Sequence, residues 1–98
     1  MGSKIYRISA TASGVTAAVD IERSDGAGLL FIVGGVNIAD IEVSPDGVNF
    51  ALALDAQGVE LGAQAATAQF ILGGEWKSIR LNVTTYATGT VELIISGL

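Results

Sequence analysis

The stretch IADIEVSPDGVNFALAL, residues 38–54, decides the fold. Two apolar runs flank Ser44-Pro45-Asp46-Gly47. Proline presets the first central position of a turn, and glycine takes a left-handed one. Residues 38–44 and 48–54 therefore read as the two arms of a β-hairpin. Along the second arm Val48, Phe50, Leu52 and Leu54 alternate with Asn49, Ala51 and Ala53. That is the period of two belonging to a half-buried strand, not the 3.6 of a helix.

The same period runs outward in both directions. Residues 5–10 read as an N-terminal strand. In VTAAVDIER, residues 15–23, Val15, Ala17, Val19 and Ile21 share a face, and Ser24-Asp25-Gly26 supplies a turn. Residues 29–33, LLFIV, are continuously apolar, which points to burial on both faces. Gly34-Gly35 ends them. Toward the C-terminus, residues 67–72 form a strand stopped by Gly73-Gly74. Residues 76–84 follow, with Ile79, Leu81 and Val83 inward and Arg80, Asn82 and Thr84 outward. A turn at 85–89 leads into a last strand, 90–96. Residues 59–68 are alanine-rich and leave a helical turn and a small-residue loop both open, with Gly58 and Gly62 opposing a long helix. The expectation is about eight strands in an all-β fold, an antiparallel sandwich or barrel. Residues 1–12 form an N-terminal arm or edge strand, and residues 13–98 one sandwich domain.

Composition bounds the chemistry. The chain has 98 residues, room for one domain. It contains no cysteine and no histidine, so disulfides, zinc–thiolate sites, thiol catalysis and Ser-His-Asp catalysis are excluded. Hydrophobic residues make up 50% and charged residues 15%, against about 25% charged in an average domain. The longest apolar run, AGLLFIVGGV at 27–36, is half the length of a spanning helix, and the aromatic girdles of a membrane barrel are missing. The apolar excess is better placed on a charge-poor surface covered by copies of the chain or by a partner. Net charge is −5 with no basic stripe, which argues against nucleic acid. The first residues, MGSKIYRISATASG, lack the apolar region of a signal peptide, so synthesis in a cytoplasm is expected.

Candidate sites are few. Asp20 with Glu22, and Asp40 with Glu42, form carboxylate pairs on strand faces, the pattern of any half-exposed strand. Asp25, Asp46 and Asp55 sit at loops without the spacing of a calcium loop. The paired glycines match no phosphate-binding motif and serve as strand breaks. Trp76, the only tryptophan, reads as core edge in preference to a sugar platform. Tyr86 sits where a sandwich corner would let its hydroxyl return to the backbone. Tyr6, near the N-terminus, is an interface candidate. No catalytic residue, cofactor or metal is expected. A coat of Thr, Ala, Gly and Ser loses little conformational entropy on contact and suits permanent packing between subunits.

Two segments carry a family resemblance: IEVSPDGVNFALAL at 41–54 and WKSIRLNVTTYATGTVELIISG at 76–97. Their S-x-D-G turn, V-N-F strand, R-x-N-V-T strand and G-T-V-x-L strand resemble small virion proteins of tailed bacteriophages, head decoration proteins among them. The resemblance implies a jelly-roll-like sandwich that assembles as a homotrimer, binds the major capsid protein on the outside of the virion and stabilises the shell. It carries no catalytic residue. In that setting the relatively basic N-terminal segment, with Lys4, Ile5, Tyr6 and Arg7, is the candidate contact to capsid or neighbouring subunit. The alternatives are another phage tail, baseplate or fibre domain, and a carbohydrate-binding module using Trp76, Arg80 and Tyr86.

Overall fold

The computed structural model describes residues 4–22 and 26–97. Among these the chain forms nine strands and no helix: β1 Tyr6–Ala10, β2 Gly14–Val15, β3 Val19–Asp20, β4 Gly28–Gly34, β5 Asn37–Ser44, β6 Ala51–Leu52, β7 Ala68–Ile71, β8 Ser78–Tyr86 and β9 Thr90–Ser96. They pair in two antiparallel sheets. One has the order β1-β9-β4-β7. The other runs β2-β8-β5-β6, with β3 beside β2 on the same edge of β8. If β2 and β3 are taken as one interrupted strand, eight strands follow the order of a jelly roll, crossing between the sheets at every step except the β5–β6 hairpin. The all-β sandwich read from the sequence is the observed fold.

The core lies between the sheets. Inward rows cross the first sheet as Ile8–Leu93–Phe31 and Ile95–Leu29, all buried. Ile41, Val43, Ile79, Leu81 and Val83 face them from the second sheet. The faces expected for β8 are the observed ones: Ile79, Leu81 and Val83 are buried, while Arg80 and Asn82 are half-buried and Thr84 is exposed. β1 is an edge strand paired along its whole length with β9, and Ile8 is only 5% exposed.

Several expectations are corrected. The strand expected at 15–23 is broken into β2 and β3, and Val15 is exposed. Thr16 explains part of the break, because its Oγ1 accepts from Leu81 N while its own N–H donates to Leu81 O. The turn expected at 24–26 falls mostly outside the described residues. β4 is buried on one face only, with Leu30 and Ile32 half-buried on the other. The second hairpin arm shrinks to Ala51–Leu52, and the residue that turns into the core is Ala53, just after it. Val48, Leu52 and Leu54 are not in the core. The register is inverted because the loop of residues 45–50 closes on the Asp46 side chain, leaving the strand to restart in the opposite phase. Residues 59–67 form no helix; Leu61 and Gln64 bridge to β5 as extended chain. Trp76 precedes β8, and β8 continues through Tyr86.

Candidate functional site

The outer face of the β1-β9-β4-β7 sheet is the unusual surface. Cross-strand register places Arg7, Ile94, Leu30 and Gln69 in one row, and Ser96, Gly28 and Ile71 in the next, with Ile5 just before β1. Leu30, Ile71, Ile94 and Ile5 line a cleft of about 680 Å³. Ile71 is 54% and Ile5 66% exposed. Gly28, opposite both Ile71 and Ser96, contributes no side chain to the hollow. Asp55 and Gln57 close one rim, and Asp55 accepts from the backbone N–H groups of Gln57 and Val59. Arg7 stands beside the cleft with no partner among the described residues. A contiguous apolar hollow on an outer sheet face is the usual mark of a docking surface.

The outer face of the other sheet is polar and internally satisfied. Arg80 Nε donates to Glu42 Oε1 at 2.8 Å, and Asn82 donates to Glu42 Oε2. The Arg80 guanidinium lies 3.9 Å from the centroid of the Phe50 ring. Asp40 accepts from Ala63 N, and Lys77 pairs with Asp20 at 2.9 Å. Both carboxylate pairs are therefore engaged in holding the fold. No cluster of three metal-ligating side chains occurs among the described residues.

The loop between β5 and β6 is held by one carboxylate. Asp46 Oδ1 accepts from Ser44 Oγ, Val48 N and Asn49 N at 2.8–2.9 Å, and Oδ2 accepts from Asn49 Nδ2 at 2.8 Å. Ser44 Oγ in turn accepts from Gly47 N at 2.8 Å. These donors hold the Asp46 carboxyl well below the usual carboxylate range, the Asn49 N–H bond first among them. Val48, 78% exposed, projects from this braced loop.

The residues singled out in the sequence fall in separate places. Lys4 pairs with Glu22 at 3.0 Å, and that hydrogen bond raises the lysine above its ordinary pKa. Ile5 enters the cleft, Arg7 flanks it, and Tyr6 turns inward against the core edge. Trp76 packs against the core and donates Nε1–H to Gly73 O at 2.7 Å. Tyr86 donates its hydroxyl to Gly89 O at 2.7 Å, at the sandwich corner. It lies six residues beyond Arg80 on β8, roughly 20 Å at strand rise. Trp76, Arg80 and Tyr86 thus do not converge on one ligand. Sequence reading missed Gly28, Leu30, Ile71 and Ile94. The apolar character of both faces of 28–34 and 93–95 is the available signal, and for residues 29–33 it reads as burial on both faces.

No known family profile matches the sequence, and no curated protein matches it. Among solved structures, the SPBc2 prophage-derived protein YomS has a similar fold, with a TM-score of 0.59 at 10% identity, over 99% of this chain and 96% of that one. At that identity the likeness is one of fold. It extends over nearly the whole of both chains.

Proposed function

We propose that this protein is a non-enzymatic virion structural protein, a head decoration protein that binds the outside of the capsid as a homotrimer and stabilises the shell. The observation that carries this reading is the jelly-roll sandwich shared almost end to end with a prophage-derived protein of similar length. An apolar hollow on an outer sheet face supports an adhesive role, and the engaged state of every carboxylate pair weighs against catalysis. Partners in this reading are the chain itself and the major capsid protein, with no nucleic acid, membrane or cofactor. The protein is made in the host cytoplasm and ends on the virion exterior. A trimer gains from effective concentration, since three weak shell contacts act together.

The test is co-sedimentation with expanded empty capsids of the encoding phage. Saturable binding together with a raised shell melting temperature is the expected result. Protein that stays in the supernatant at all concentrations overturns the decoration role and moves the reading to a tail, baseplate or fibre domain.

A further inference from the structure

We propose that the Val48 loop of one copy docks into the cleft over Gly28 of a second copy, and that this head-to-tail contact closes the oligomer. The inference deepens the assembly role above and rests on it for the expectation that copies associate. Its grounds are a hole, a knob and a charge pair. The hole is the hollow of about 680 Å³ between Ile5, Leu30, Ile71 and Ile94, large enough for a loop tip, with these aliphatic groups at its centre and Asp55 and Gln57 on one rim. The knob is Val48, the most exposed of the large hydrophobic residues among those described. Its loop needs no further ordering, because Asp46 already holds the N–H groups of Val48 and Asn49. A preorganised loop binds without the entropy cost of being fixed.

One charge pair supports a second copy as the occupant, although Asp55 on the cleft rim is itself acidic. Each chain carries −5, so two copies repel unless their contact joins unlike charges. Arg7 beside the cleft has no partner among the described residues, and the loop carries the Asp46 carboxylate two residues from Val48. Among the described residues Asp46 Oδ2 accepts only from Asn49, which leaves acceptor capacity for a guanidinium. Knob and hole are different surfaces, so the contact is heterologous, and such contacts form rings when the rotation closes. In a closed ring every cleft is filled and every Val48 is covered.

The chain has no cysteine, so engineered thiols report the contact without background. Val48→Cys protein is mixed with Ile71→Cys protein under mild oxidation. A disulfide-linked pair forming in the mixture far faster than in either protein alone is the expected result. The double variant Val48→Cys/Ile71→Cys should close into covalent trimers. Val48→Glu, at a position that contributes nothing to the core, should weaken self-association at least tenfold by sedimentation equilibrium with an unchanged melting temperature. Wild-type protein that is monomeric throughout, or oligomers that give no mixed disulfide, overturn the contact whether or not the protein decorates shells. So does protection of Ile71→Cys from a thiol reagent by shells but not by self-association, which would make the capsid the occupant. A Val48→Glu protein that loses self-association yet still binds shells supports the contact and assigns capsid adhesion to another surface.

Discussion

Arg80 and Glu42 are cross-strand partners on β8 and β5, joined Nε to Oε1 at 2.8 Å, with side chains only 25% and 14% exposed. Phe50 covers the guanidinium, so the pair sits in a drier setting than a surface ion pair. Removing Arg80 leaves the half-buried Glu42 carboxylate with Asn82 alone as its partner. Arg80→Ala should cost about 1–2 kcal/mol, more than the 0–1 of an exposed pair and less than a fully buried one. Urea denaturation checks this, and Glu42→Gln in the same background should recover part of the loss.

Asn37 is 2% exposed and joins two turns. Its amide donates to Thr88 O at 2.7 Å and its carbonyl accepts from Ala87 N at 2.8 Å. Asn37→Leu strands both backbone groups. A loss of about 2–3 kcal/mol is expected in chemical denaturation, with earlier hydrogen exchange at Ala87.

Gly89 and Gly58 both have positive φ, 81° and 84°. A Cβ at Gly89 would run into the Gly34 carbonyl, whereas one at Gly58 would meet nothing within 4 Å. Gly58→Ala should cost about 1 kcal/mol, the strain of the left-handed backbone alone. Gly89→Ala should cost several times more, about 3 kcal/mol, because the β8–β9 turn must shift. Paired melting curves compare them.

Asp46 is ionised with its pKa depressed, so its contribution to stability is present above its ordinary value of 3.8. It is lost as pH falls below that value toward the depressed one. Urea midpoints measured between pH 7 and pH 2 should therefore fall more steeply below pH 4 for the wild type than for Asp46→Asn.

Trp76 is half-buried against the core with its N–H engaged. Trp76→Phe should lose about 1 kcal/mol from that hydrogen bond. Retention in polysaccharide affinity gels should be the same for wild type and variant. Retardation of the wild type abolished by the substitution would restore the carbohydrate-binding reading.

Local chemistry in the sequence determined the strand class, the faces of β8, the extent of β9 and the left-handed Gly47, whose φ is 82°. Each of these depends on side-chain alternation or on a single residue's backbone freedom. Only the tertiary structure decided the rest. The jelly-roll order places β1 beside β9 and β4 beside β7, partners that no local pattern names. An Asp46 carboxylate that captures its own loop ended one hairpin arm early and left Val48 exposed, outside the alternating strand expected at 48–54. Apolar residues on both faces of β4 meant one core face and one open cleft, because no element among the described residues covers the second face. Period two tells which residues share a face. What covers that face depends on long-range pairing, and in this chain the hollow over Gly28 arises where β4, β7 and β9 meet.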